Sequence, residues 1–88
     1  MNTINDIIKN EKPVDVILFL TSKNGIDHPR LDRLYSLNNW PHINNNMRLI
    51  ELVGNMIAEG LIESKGGRHT KGPNWRAPQF MLDNKYTL

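Results

Sequence analysis

Residues 44–65 read NNNMRLIELVGNMIAEGLIESK, and the reading of this stretch decides the fold. Three asparagines precede an apolar pattern of helical period. An asparagine oxygen in that place accepts a bond from an orphan backbone N–H, so Asn44 or Asn45 is the expected N-cap. Leu49, Ile50, Val53, Met56 and Ile57 recur at helical spacing on one face, with Leu52 beside them. The opposite face carries Asn44, Met47, Arg48, Glu51, Asn55 and Ala58. The helix is expected to run to about Glu59 and to stop at Gly60. There the period changes from 3.6 to 2, and LIESK, residues 61–65, reads as a strand with Leu61 continuing the core.

On the C-terminal side, a basic stretch from Gly66 to about Pro78 is bounded by glycines and prolines. QFMLDNKYTL, residues 79–88, has Phe80, Leu82 and Tyr86 on alternate positions and is expected to be the antiparallel return strand. The hairpin loop then lies between about residues 65 and 78. On the N-terminal side, Thr3 and Asp6 resemble a capping box, and Ile4, Ile7 and Ile8 give a helix over 3–11. Pro13 suits the first turn of a second helix over 13–23, closed by Asn24-Gly25. Its β-branched residues also permit a strand, but Asp15 near the start and Lys23 near the end suit a helix dipole. Asp27 can cap HPRLDRLYSLN, residues 28–38, whose apolar side is Leu31, Leu34, Tyr35 and Leu37. NNWPHI reads as a turn in which Trp40 covers the core edge beside Pro41. Leu18, Leu34, Leu49, Val53, Ile57, Leu61 and Leu82 are expected to be buried together.

Eighty-eight residues suffice for one small domain and one modest core. There is no cysteine, which excludes disulfide scaffolds and thiolate metal sites. The longest apolar run, Val16 to Leu20, is too short to span a bilayer, and MNTINDIIKNEK lacks the regions of a signal peptide. A cytoplasmic protein without membrane contact is expected. The net charge of +2 is unevenly spread: residues 1–60 hold six Lys/Arg against seven Asp/Glu, and residues 61–88 hold five against two. A basic final third on a near-neutral body is a small electrostatic footprint for an anionic partner.

Catalytic chemistry finds little support. GGRHTKGPN spaces two glycines five apart, but Pro73 and Asn74 stand where a phosphate-binding loop needs Lys and Ser/Thr. His28, His42 and His69 fall on three separate loops without acids or cysteines at ligand spacing. The chain is expected to be no enzyme and to use neither cofactor nor metal.

Leu49, Leu52, Val53, Ile57, Glu59, Gly60, Leu61 and Ile62 resemble the end of the recognition helix in bacterial winged helix-turn-helix regulators. The closing KYTL is similar to their last wing strand. The resemblance covers about residues 13–88 and implies an α+β fold: three core helices, a short N-terminal helix over 1–12, a helical part over 13–60 and a two-stranded wing over 61–88. It further implies duplex DNA as the partner of a small regulator. Asn44, Asn45, Met47, Arg48, Glu51 and Asn55 would then face base edges, where Asn suits adenine, Arg guanine and Glu cytosine. Lys65, Arg68, His69, Lys71, Asn74, Trp75 and Arg76 would meet the backbone from the wing. The alternative is a protein-interaction winged helix, such as an adaptor, inhibitor or immunity-type protein, that uses the wing and Trp75. A monomer or a homodimer fits either reading.

Overall fold

The structure is a computed structural model and describes residues 3–86. The first helix, α1, spans Thr3–Asn10 and buries Ile7 and Ile8. Extended backbone at Lys12 then sets up α2, Pro13–Leu20, with Pro13 in its first turn. This helix ends earlier than the expected Asn24-Gly25: Thr21 is the C-cap, and its hydroxyl donates to the carbonyls of Ile17 and Leu18. Gly25 serves a different purpose. With φ at +82 it turns the chain into a two-residue strand β1, Ile26–Asp27, and a Cβ there would sit 2.3 Å from the His69 carbonyl oxygen.

Asp27 caps α3, His28–Leu37, by accepting from the Arg30 amide at 2.9 Å. Asn45 caps α4, Asn46–Ala58, by accepting from the Arg48 amide at 3.1 Å. Between them the backbone takes positive φ at Asn39, Trp40, His42 and Asn44. Asparagine tolerates that region, whereas Trp40 and His42 are held in it by surrounding contacts. The Trp40 amide donates to the Tyr35 carbonyl and its ring stacks on Tyr35, while His42 Nε2 donates to the Lys9 carbonyl.

The C-terminal third departs from the expected hairpin. Strand β2, Ile62–Lys65, is paired with β3, Arg68–Lys71, and not with residues 79–88. Gly66 and Gly67 both have positive φ, the requirement of a tight two-residue hairpin turn, so no long loop separates the strands. Strand β3 also pairs with β1 on its other side, giving an antiparallel sheet of order β1-β3-β2. The expected return strand is instead a short helix, α5, Gln79–Leu82, and its last two positions, 87 and 88, lie outside the described residues. Phe80 plugs the core beside Phe19, with ring centroids 5.6 Å apart, and Tyr86 stands edge-on to Phe80.

The core joins α1 to α5: Ile7, Ile8, Ile17, Leu18, Leu31, Tyr35, Leu49, Val53, Met56, Ile62 and Phe80 are buried. Of the expected set, Leu18, Leu49 and Val53 are buried, and Leu34 and Leu61 pack half-buried against them. Ile57 and Leu82 are corrections, at 39% and 64% exposed. Leu82 fails because its segment is helical, so alternate residues no longer share a face. No helix among the described residues is long and apolar enough to cross a membrane.

Candidate functional site

Each wing candidate has an identifiable place. Lys65 and Arg68 flank the hairpin turn; Lys65 lies 3.8 Å from Glu63, both on β2. Arg68 bends back to the body, donating through Nε to the Asn24 carbonyl at 3.2 Å and through Nη2 to the Gly25 carbonyl at 2.8 Å. The Lys71 ammonium sits 4.3 Å over the Trp75 ring. Trp75 does not project. Its ring packs half-buried against the core, and Nε1 donates to the Leu18 carbonyl at 3.1 Å and Thr21 Oγ1 at 3.2 Å. Asn74 Nδ2 donates to the Glu59 carbonyl, fastening the segment after β3 to the end of α4. Arg76 is exposed.

His69 is buried at 7% exposure, and its Nε2 lies 3.1 Å from Nδ1 of His28. Burial lowers the His69 pKa, His28 adds to the lowering, and Asp27 opposes it. No group of three or more His, Cys, Asp or Glu residues able to hold a metal exists among the described residues.

The helix candidates divide by flank. Asn45 spends its side-chain oxygen on the cap, and Asn44 stands exposed just before it. Arg48 and Glu51 form an exposed ion pair at 3.6 Å. Together with Asn44, Asn55, Lys12 and His42 they line an open groove of about 570 Å³ between the start of α2 and the polar flank of α4. The other outward flank is apolar. Met47, Ile50 and Ile57 are 62%, 48% and 39% exposed, and Gly54 lies between the last two. Positions 47, 50, 54 and 57 repeat at three, four and three residues, so they form one seam along the helix.

Ile50 and Ile57 were expected inside. The inward face is instead Leu49, Val53 and Met56, with Leu52 half-buried at its edge. Two apolar stripes share this helix, and the signal that separates them is Gly54, a residue a packed interior stripe does not need. No known protein family, curated protein or solved structure is matched by this chain.

Proposed function

We propose that this chain is a winged-helix protein-interaction module that docks a partner on the apolar outward seam of α4. The winged-helix part rests on the succession α2, β1, α3, α4, β2, β3 and on a sheet in which β3 lies between β1 and β2. The docking part rests on one observation, Gly54. A glycine inside a helix costs about 1 kcal/mol relative to alanine. A Cβ at Gly54 meets nothing within 4 Å among the described residues, so their packing does not require the side chain to be missing. Met47, Ile50 and Ile57 surround the bare spot with exposed apolar surface. A gap flanked by large apolar groups is a hole that a side chain from a second helix can fill.

The polar flank of α4 suits phosphate poorly. Its cation, Arg48, is paired with Glu51. A photoreactive amino acid at Met47 or Ile50 of the full chain, irradiated in cells, should yield one discrete protein adduct that survives nuclease treatment. The same group at Lys65 or Arg76 should yield none. Nuclease-sensitive adducts from Lys65 and Arg76, with none from Met47 or Ile50, would overturn the docking reading.

A second reading, duplex DNA as the partner, is favoured by a specific feature: Lys65, Lys71 and Arg76 are exposed on or just after the hairpin. Removing one phosphate contact lowers the log–log salt slope of binding by about 0.9. Titrating duplex DNA at two salt concentrations with Lys65→Ala, Lys71→Ala and Arg76→Ala therefore tests it. Salt-independent or undetectable binding by the wild-type chain removes this reading.

A further inference from the structure

The β2–β3 hairpin joins the helical body at β2 through the buried Ile62 and at β3 through a short ladder to β1, which Arg68 also bridges. Strand β3 meets β2 over four residue pairs but meets β1 over only two, Ile26 with His69 and Asp27 with Arg68. At that joint His28 opens α3, and its Nδ1 lies 3.1 Å from His69 Nε2, the two rings standing nearly perpendicular. We infer that this histidine pair is a clasp that closes the β1–β3 joint at neutral pH and loosens it in mild acid.

The reasoning starts from proton count. Two neutral imidazoles can share one proton along the line between these nitrogens, because one must offer N–H and the other a lone pair. The environment selects the arrangement. His69 Nδ1 is buried and has no partner among the described residues. A proton there would be a buried donor without an acceptor, and such orphans are rare and costly. His69 therefore carries its proton on Nε2 and donates to His28 Nδ1.

Each added proton breaks this arrangement. On His28 Nδ1 it would face the N–H of His69, donor against donor. On His69 Nδ1 it would be buried without an acceptor. The surrounding groups offer little relief. From β1, the Asp27 carboxylate favours a charged His69, but one of its oxygens is committed to the Arg30 amide. On β3, Arg68 is turned to the Asn24 and Gly25 carbonyls. On β2, the residue opposite His69 is Ser64, which carries no charge. A histidine held below its unfolded pKa makes the native state bind fewer protons than the unfolded chain. The joint is thus fully stable above about pH 6.5 and weakens as pH falls below it.

Nuclear magnetic resonance on the full chain tests this between pH 8 and 5. The ¹⁵N shifts of His69 should report the Nε2–H form at neutral pH, with titration below the ordinary histidine value. Amide exchange in the β1–β3 ladder, corrected for its intrinsic pH dependence, should rise tenfold or more over the acid limb. Exchange in α4 and in the β2–β3 ladder should stay protected. In His69→Gln the side-chain amide donates to neutral His28 and accepts from charged His28 after a flip, so the acid effect should vanish. If that variant does not fold, His28→Asn, which keeps an acceptor for His69 and removes the neighbouring charge that lowers its pKa, should make the acid effect smaller. Protection of the β1–β3 ladder that is unchanged from pH 8 to 5 in the wild-type chain would overturn the proposal. So would an acid transition that both foldable variants retain unaltered.

Discussion

The two apolar stripes of α4 are built from similar residues and meet different fates. Leu49, Val53 and Met56 are at most 5% exposed, whereas Met47, Ile50 and Ile57 are 39% to 62% exposed on the same helix. Residue type does not separate them, since each side has β-branched or long aliphatic side chains. Neighbours do. The inward stripe lies on the helix that contacts α3 and β2, while at Gly54 the outward stripe meets nothing among the described residues. Hydrophobicity proposes faces, and topology decides which face has something to lie against.

The strongest test of that contrast is truncation on the inward side. Leu49 is fully buried, so Leu49→Ala should cost about 2–5 kcal/mol by lost transfer energy and the cavity left behind. That is a large share of the stability of a small domain. Chemical denaturation with an unchanged m-value measures it, and a loss under about 1 kcal/mol would mean that the inward stripe is wrongly assigned.

Trp75 extends the comparison to the segment after β3, which packs a half-buried ring against the core. Trp75→Phe keeps an aromatic ring and deletes the N–H shared between the Leu18 carbonyl and Thr21 Oγ1. The expected cost is about 1–2 kcal/mol, because the Leu18 carbonyl still accepts from the Thr21 hydroxyl. Partner binding through α4 should be unchanged in molecules that remain folded. A stable Trp75→Phe protein that has lost its partner would return Trp75 to the interface.

Much of the helical architecture was legible because caps are local chemistry. Asp27 and one of the adjacent asparagines 44 and 45 were expected as N-caps, and both α3 and α4 start there. The sheet was less legible. Strand β3 is RHTK, in which His69 is the one buried residue, so no alternation of apolar and polar positions marks it. Strand β1 has two residues and exists only because β3 lies beside it. Phe80, Leu82 and Tyr86 do alternate, but a proline at 78 and helical hydrogen bonds from Met81 onward turn the segment into α5. For the candidate site, the helix and the first strand were legible, but not the strand that pairs with it nor which side chains are already engaged. Arg68, Asn74 and Trp75 look like ligands in sequence and are tied to backbone carbonyls distant in the chain.

Gly54 carries the contrast in the opposite direction, since changing it should raise stability. Gly54→Ala restores helix propensity at a position with open space, an expected gain of about 1 kcal/mol. Gly54→Leu should fold at least as well as the wild type yet fill the bare spot and weaken docking. If Gly54→Ala destabilises the chain, an internal reason for the glycine exists and the external one loses its support.

The smallest effect is expected at Ile57, and it is the most discriminating for that reason. Sequence pattern alone puts Ile57 beside Val53 in the core, which would make Ile57→Ala cost several kcal/mol. Its observed exposure of 39% leaves fewer contacts to lose, and alanine is the better helix former. These terms partly cancel, so the net change in stability should stay under about 1 kcal/mol. Partner binding should fall much more than stability, because Ile57 closes one end of the seam that Met47 and Ile50 continue. The two readouts must therefore be taken on the same protein. A loss of about 2 kcal/mol or more in stability would move Ile57 into the core and shorten the seam. Unchanged stability with unchanged docking would leave the outward stripe without a function at its C-terminal end.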